Sequence, residues 1–302
     1  MDNDICEELK GLMKGTLKAN EPMSKHTSFG IGGPVDAWAA PETLEDFFAL
    51  LDVCEKKNIP YRVVGHGTNL LVRDGGIDGV VISLRDACRN LAAEGERIIA
   101  GAGVSLGRAV RFAAEKGLQG LEFCVGIPGC VGGALVANAG AWGVSMGDIL
   151  AGARIYTPGA GKTRKVPRNE ISFDYRKSDI ASFGVVLEAE FNVTRAEPET
   201  IRARMKEHLA RRAETQPVGF KSAGCVFKNP TGCHAGALID ALGFKGYMSG
   251  DAMVSDVHAN FIINAGSATA ADVMRIISEI KGRVRGSAGI ELEEEIEILG
   301  RD

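Results

Sequence analysis

Two glycine-dense turns in series constrain this chain more than anything else in it. The first reads Val64-Gly65-His66-Gly67-Thr68-Asn69-Leu70-Leu71-Val72, and the second, further along, Gly126-Ile127-Pro128-Gly129-Cys130-Val131-Gly132-Gly133-Ala134. Each is flanked by apolar residues, so each can be anchored in a core while its backbone N–H groups close on an anion that no side chain obstructs. One such loop is weak evidence. Two, followed by Asn138-Ala139-Gly140-Ala141-Trp142-Gly143, point to a chain that wraps a long diphosphate ligand from two sides, and a dinucleotide cofactor fits. Glycine makes up 39 of 302 residues, close to twice the usual share of roughly 7%, which implies many close backbone approaches.

Composition narrows the partners. With 45% hydrophobic and 25% charged residues the chain can bury a full core and reads as a soluble globular protein of two or three domains. A net charge of -4 and a pI near 5.8 give no overall basic field, so neither nucleic acid nor an anionic membrane is an expected partner. The N-terminal run Met1-Asp2-Asn3-Asp4-Ile5-Cys6-Glu7-Glu8 is acidic and has no apolar signal-peptide core. No window approaches the ~18 apolar residues of a membrane span, and a cytoplasmic location is expected. Seven scattered cysteines without a Cys-x-x-Cys pair argue against both a disulfide framework and a zinc site. Cys225, Cys233 and His234 lie close in sequence, but their spacing fits no standard site and no metal is expected.

Residues 44–57 have helical periodicity with Thr43 as N-cap and lead through Pro60 to a strand over 61–65, so the first glycine turn follows a strand. Further strands are expected over 80–84 and 97–101, then a helix over 105–116 with Gly117 just past its end. Residues 153–156, a basic polar stretch over 161–168, and residues 185–193 read as antiparallel sheet. A composition break at Arg195-Ala196-Glu197-Pro198-Glu199-Thr200, followed by a charged helix over 201–214, marks a domain boundary. The expected division is 1–195, in two parts split near 85, and 196–302. The latter carries a short helix over 235–242, strands over 260–264 and 295–299, and a long amphipathic helix over 271–285, an α+β module.

Gly101-Ala102-Gly103-Val104-Ser105-Leu106-Gly107 follows a strand and opens a helix, which invites a nicotinamide-binding reading. The third glycine is one residue late and no acidic residue ends a second strand at the required distance. A tight strand-to-helix turn is the better reading. The strands also alternate poorly with helices for a doubly wound parallel sheet.

The first glycine turn, Gly120-Leu121-Glu122-Phe123-Cys124-Val125-Gly126-Ile127-Pro128-Gly129, Asn138-Ala139-Gly140, Phe173-Asp174-Tyr175-Arg176-Lys177-Ser178, Ser222-Ala223-Gly224-Cys225-Val226-Phe227-Lys228-Asn229-Pro230 and Leu292-Glu293-Glu294-Glu295-Ile296-Glu297-Ile298 together resemble the UDP-N-acetylenolpyruvoylglucosamine reductase (MurB) family, in its shorter subtype. The likeness runs from His26-Thr27-Ser28-Phe29-Gly30-Ile31-Gly32-Gly33 to the C-terminus. It implies an α+β protein: a two-part FAD-binding fold of the vanillyl-alcohol-oxidase-like type, plus a C-terminal α+β substrate domain. The implied enzyme of peptidoglycan synthesis holds FAD non-covalently, uses NADPH as co-substrate, and reduces the enolpyruvyl ether of a UDP-sugar to a lactyl ether.

Hydride arriving at C3 of an enolpyruvyl group leaves negative charge at C2, delocalised into the carboxylate, so the site must stabilise an enolate and then protonate C2. By resemblance Arg176 holds the carboxylate with its planar fork, worth about 3 kcal/mol in a dry site; a surface arginine in a salt bridge is the bland alternative. Cys225 takes the proton-donor position, where many members have serine. A thiol, with an ordinary pKa of about 8.5, gives up a proton more readily than an alcohol yet stays protonated at neutral pH unless a cation depresses it; a small buried thiol is its alternative. Glu295 matches the family's C-terminal glutamate. Neighbouring Glu291, Glu293 and Glu294 leave a solvated acidic run as the competing view, and in a terminal strand Glu295 and Glu297 would share a face.

For the cofactor the resemblance implies Gly65, His66, Gly67, Thr68 and Asn69 on one side, and Ile127, Pro128, Gly129, Cys130, Gly132, Gly133 and Asn138 on the other. Cys130 stands where a hydroxyl residue is common. Tyr175 and Asn229 match substrate-contacting positions of the same motifs and are carried over as phosphate or carboxylate binders, while Lys228 and Lys245 are expected electrostatic partners of the substrate diphosphate, with ordinary solvated lysine as the alternative. Two other functions stay open: an FAD-dependent oxidase or dehydrogenase of the same fold, and a nucleotide-sugar sensor or FAD-binding scaffold without turnover. A monomer is expected.

Overall fold

The computed structural model describes residues 3–302; Met1 and Asp2, which open the acidic N-terminal run and the expected first domain, lie outside them. The chain forms two compact units. The first takes the N-terminal segment to Ala19, Ala37–His66 and Gly79–Arg211, and the second takes Asn20–Asp36, Gly67–Asp78 and Arg212–Asp302.

The first unit is built on a five-stranded sheet in the order Lys162–Pro167, Leu150–Thr157, Val185–Asn192, Arg97–Gly101, Leu91–Glu94, antiparallel at every step. The basic stretch expected to be polar sheet is its edge strand, where lysines and arginines discourage a further strand from adding. A parallel pair joins Tyr61–Val64 to residues 80–83. Helix Leu44–Lys56 starts where the Thr43 hydroxyl accepts the Asp46 N–H at 3.1 Å, and helix Leu106–Glu115 where Ser105 accepts the Arg108 N–H at 3.3 Å. Phe47, Leu50, Leu51, Ile82, Ile98, Ile155 and Phe191 are fully buried in one core.

The glycines of the nicotinamide-like sequence serve packing. A Cβ on Gly101 would collide with the Cys88 carbonyl, and one on Gly103 with the Leu84 carbonyl. Helix Val131–Val136 grows directly out of the second glycine turn, where the sequence carries no helical pattern.

The second unit carries a four-stranded antiparallel sheet in the order Lys221–Cys225, Phe261–Asn264, Ala252–Val254, Met248–Ser249. Helix Ala270–Ala288 opens with a capping box between Thr269 and Asp272 and ends at Gly289 in the left-handed region (φ 68°). Val273, Ile276, Ile277, Ile280 and Val284 line its buried stripe at helical spacing. Residues Leu70–Val72 pair in parallel with Glu297–Leu299. The terminal strand therefore begins at Glu297. Glu295 lies before it in a bend, so the alternation that puts Glu295 and Glu297 on one face does not apply.

Among the described residues no helix is long and apolar enough to cross a membrane, and no three His, Cys, Asp or Glu side chains gather as a metal site.

Candidate active site

In the first unit the two glycine turns converge. A Cβ added to Gly65 would stand 2.6 Å from the Cys130 sulfur, and the backbone N–H groups of His66, from the first turn, and Gly133, from the second, lie near that sulfur. Donors from both turns are thus aimed at one small volume, the property a phosphate oxygen requires. Burial pushes the Cys130 thiol up from its ordinary range, with these N–H groups opposing it, so Cys130 is held neutral. The His66 ring is pushed down, first by burial and then by nearby Arg85. Its Nε2 is a buried polar atom with no hydrogen-bond partner, a group a bound ligand would complete. A cradle that a Cβ would fill, beside an orphaned nitrogen, fits a dinucleotide diphosphate.

Not every amide of the second turn faces outward. The N–H groups of Ile127, Val131 and Gly132 donate to the carbonyls of Cys124 at 3.0 Å, Val104 at 2.9 Å and Ala102 at 2.9 Å. A Cβ on Gly132 would reach the Ala102 Cβ at 2.9 Å, so this glycine lets two backbones approach.

Arg176 sits at the tip of a two-residue hairpin between Phe173–Asp174 and Lys177–Ser178. It is half-buried with φ 54°, a left-handed conformation that costs a side-chain-bearing residue about 1–2 kcal/mol. The strain is held in place from several sides. Arg176 Nη1 donates to the Gly140 carbonyl at 2.9 Å, and the guanidinium lies 5.5 Å over the exposed Tyr175 ring. Asn138 donates to the Asp174 carbonyl at 2.8 Å and accepts the Gly147 N–H at 3.0 Å. Ser178 bonds the Leu135 and Val136 carbonyls at 2.8 and 2.9 Å. Asn138, expected against the cofactor, therefore spends both ends of its amide inside this scaffold. Strain stored at an over-determined residue is a mark of a functional position.

The second unit holds the rest of the first turn. Gly67 (φ 66°) is buried, and a Cβ on it would collide with the His26 carbonyl. Ser28 accounts for its placement: its N–H donates to the Gly67 carbonyl at 3.0 Å and its hydroxyl to that of Ser222 at 2.7 Å, on the strand that ends at Cys225. Asn69 then reaches Glu295. Asn69 Nδ2 donates to the Glu295 carbonyl at 2.9 Å, and the Glu297 N–H donates to the Asn69 carbonyl at 2.8 Å.

Glu295 is held from its other side by Val226, the residue after Cys225: its N–H donates to the Val226 carbonyl at 2.7 Å. Both Cys225 and Glu295 are half-buried, reachable by a ligand yet fixed in the backbone. Lys228 forms an ion pair with Glu293. Asn229 is exposed and accepts the Ala235 N–H at 3.0 Å at the start of a short helix, while Lys245 pairs with Asp240 at 2.8 Å on the surface. Within this unit backbone and amide bonds thus tie Glu295 to Asn69 and to Val226, the residue next to Cys225. No motif assigns a role to Ser28 or Asn260; in sequence Asn260 shows only as a lone amide heading the apolar run Phe261-Ile262-Ile263.

Residues 216–299 match the family model of the UDP-N-acetylenolpyruvoylglucosamine reductase C-terminal domain, and residues 35–166 that of an FAD binding domain. The UDP-N-acetylenolpyruvoylglucosamine reductase of Syntrophus aciditrophicus (strain SB) is 43% identical over 302 residues, covering 99% of this chain and 96% of that protein. Its namesake in Geotalea uraniireducens (strain Rf4) is 42% identical over 100% of both. Among solved structures, the UDP-N-acetylenolpyruvylglucosamine reductase (MurB) of Thermus caldophilus matches with a TM-score of 0.80 at 36% identity, over 95% of this chain and 100% of that one.

Proposed function

Because the chain belongs to the UDP-N-acetylenolpyruvoylglucosamine reductase family, we propose that it reduces the enolpyruvyl ether of UDP-N-acetylglucosamine to the lactyl ether of UDP-N-acetylmuramate, a step of peptidoglycan synthesis, at the expense of NADPH. FAD, held non-covalently by the two glycine turns, would supply hydride to C3 of the enolpyruvyl group. The carrying observation is the hydrogen bond from the Glu295 N–H to the Val226 carbonyl, which keeps the segment bearing a thiol beside the segment bearing a carboxylate.

The residues divide the work as follows. Arg176 binds the substrate carboxylate through its fork and stabilises the enolate formed when C3 gains hydride. The hairpin strain and the Gly140 contact keep that fork oriented before substrate arrives, so little ordering is left to do in the transition state. Cys225 Sγ–H gives its proton to C2: the S–H bond breaks, a C–H bond forms, and solvent returns a proton to the thiolate. Glu295 assists Arg176 at the carboxylate or relays that returning proton. Tyr175, Lys228, Asn229 and Lys245 contact the UDP-sugar. Residues 1–195 form the flavin-binding region, which also supplies Tyr175 and Arg176 to the substrate, and residues 196–302 form the substrate-binding domain; the protein acts in the cytoplasm as a monomer without a nucleic-acid partner.

The test is anaerobic mixing of NADPH-reduced protein with UDP-N-acetylglucosamine enolpyruvate. Rapid flavin reoxidation with lactyl product is expected, retained by Cys225→Ser and lost in product formation by Cys225→Ala, while NADPH still reduces the flavin in both. Full turnover by Cys225→Ala would remove the thiol from the mechanism.

A further inference from the structure

We propose that Asn260 is a positioning residue for proton delivery, its buried carboxamide acting as a surrogate strand that locks the segment after Cys225 against Glu295. The inference rests on the roles given above to Cys225 and Glu295.

Strand Lys221–Cys225 pairs with Phe261–Asn264 until Cys225 faces Phe261, with an irregular register after Ser222 and Gly224 in the left-handed region (φ 84°). Past that point the ladder loses its partner, because Asn260 is the last residue before the neighbouring strand. Asn260 fills the gap with its own side chain. Its Oδ1 accepts the Phe227 N–H at 3.0 Å, its Nδ2 donates to the Phe227 carbonyl at 2.8 Å, and its main-chain carbonyl accepts the Val226 N–H at 2.8 Å. A carboxamide is the one side-chain group that can present donor and acceptor as a peptide does. Asn260 is only 3% exposed, so no water stands ready to replace it. Its own N–H donates to His258 Nδ1 at 3.1 Å, which fixes the residue from behind.

The opposite edge of the same segment carries the glutamates. Val226 accepts the Glu295 N–H, Phe227 bridges to Glu294, and the Lys228 N–H donates to the Glu293 carbonyl at 2.9 Å. Residues 226–228 are therefore held on both edges, by Asn260 on one and residues 293–295 on the other. Releasing the Asn260 edge frees the segment to shift, and with it the thiol of Cys225 relative to Glu295. Misplacement of a reacting group by about 1 Å can cost roughly a hundredfold in rate.

The experiment uses FAD-loaded protein with Asn260→Ala, which removes both side-chain bonds, and Asn260→Asp, which keeps the shape and one acceptor. We expect flavin reduction by NADPH within about twofold of wild type and lactyl product formation in rapid quench slowed at least about tenfold, with a larger solvent deuterium effect and little change in substrate affinity. Asn260→Asp should recover in part at acidic pH, where a protonated carboxyl regains a donor. Independently of turnover, the rate of Cys225 alkylation by iodoacetamide, read by peptide mass spectrometry against Cys233, should change severalfold. Unchanged product formation and unchanged Cys225 alkylation overturn the inference. So does equal slowing of both half-reactions, or failure of both variants to fold, since each marks a purely structural residue. An inactive Cys225→Ala beside unaffected Asn260 variants defeats this inference alone, whereas an active Cys225→Ala defeats the underlying catalytic assignment.

Discussion

Replacing Gly65 by alanine tests whether the convergence of the two glycine turns is what shapes the cofactor cradle. Gly65 does not occupy the left-handed region, so an alanine meets no backbone penalty and any effect comes from space. The new Cβ would stand 2.6 Å from Cys130 Sγ, about 1 Å inside ordinary contact. Cys130 cannot swing aside, being 3% exposed and seated at the N-cap of helix Val131–Val136. Overpacking of this kind costs about 1–3 kcal/mol. If the unliganded loop relaxes and the bound form must restore its shape, FAD affinity falls by roughly 5- to 150-fold. Cys130→Ala removes the sulfur and alone costs about 1 kcal/mol. The double variant should therefore recover most of the loss, with a coupling of at least about 1 kcal/mol. FAD titration by flavin fluorescence, together with thermal unfolding of the apoprotein, measures every corner of the cycle. Losses that add to within about 0.4 kcal/mol would refute the argument, because they would mean that the alanine methyl and the thiol never compete.

Gly133→Ala separates packing from ligand contact: the glycine is exposed within a helix and its Cβ would meet only Cys130 Sγ, at 3.7 Å, so apoprotein stability should rise by about 0.5–1 kcal/mol while FAD affinity drops. Arg176→Gly should leave the melting temperature near or above wild type, since relief of about 1–2 kcal/mol of left-handed strain offsets the lost Gly140 bond, yet kcat/KM should fall roughly 150-fold or more; equal losses of stability and rate would remove the arginine from the chemistry. His66 and His258 are both held below their ordinary value of 6.5 by burial, so the unfolded chain binds their protons first. The stability they contribute is complete above pH 6.5 and lost as pH falls through their lowered folded values, and His258→Gln should flatten the fall of melting temperature on acidification below that point.

The parts of the fold that could be read from the sequence are those that carry their own signals. Helix Leu44–Lys56 has a threonine cap and an apolar stripe, and strand Val185–Asn192 places apolar residues at every second position. Helix Val131–Val136 has neither advantage. With two glycines in six residues its propensity is poor, and it forms because the Val131 and Gly132 N–H groups bond Val104 and Ala102 from elsewhere in the unit. Strand Lys221–Cys225 is equally mute, composed of small and polar residues that acquire strand geometry from Phe261–Asn264. Nor does any local pattern announce that residues 20–36 and 67–78 belong with 212–302, because such membership is decided by contacts distant along the chain.

The same distinction separates the site residues. Motif matching could single out Arg176, Cys225 and Glu295, since each is a residue type the proposed chemistry demands. It could not supply what holds them, and strand alternation does not reach Glu295, because the strand starts two residues later at Glu297. The register of that glutamate is fixed instead by Asn69 through its carbonyl and Val226 through its N–H, two partners far apart in sequence. A residue proposed to react is legible because its chemistry restricts its type, whereas an amide that bonds the backbone, such as Asn69, Asn138 or Asn260, is chosen for a geometry that exists only after folding. Asparagine recurs in this supporting role because a short carboxamide presents donor and acceptor together and can close a backbone ladder where the strand itself runs out.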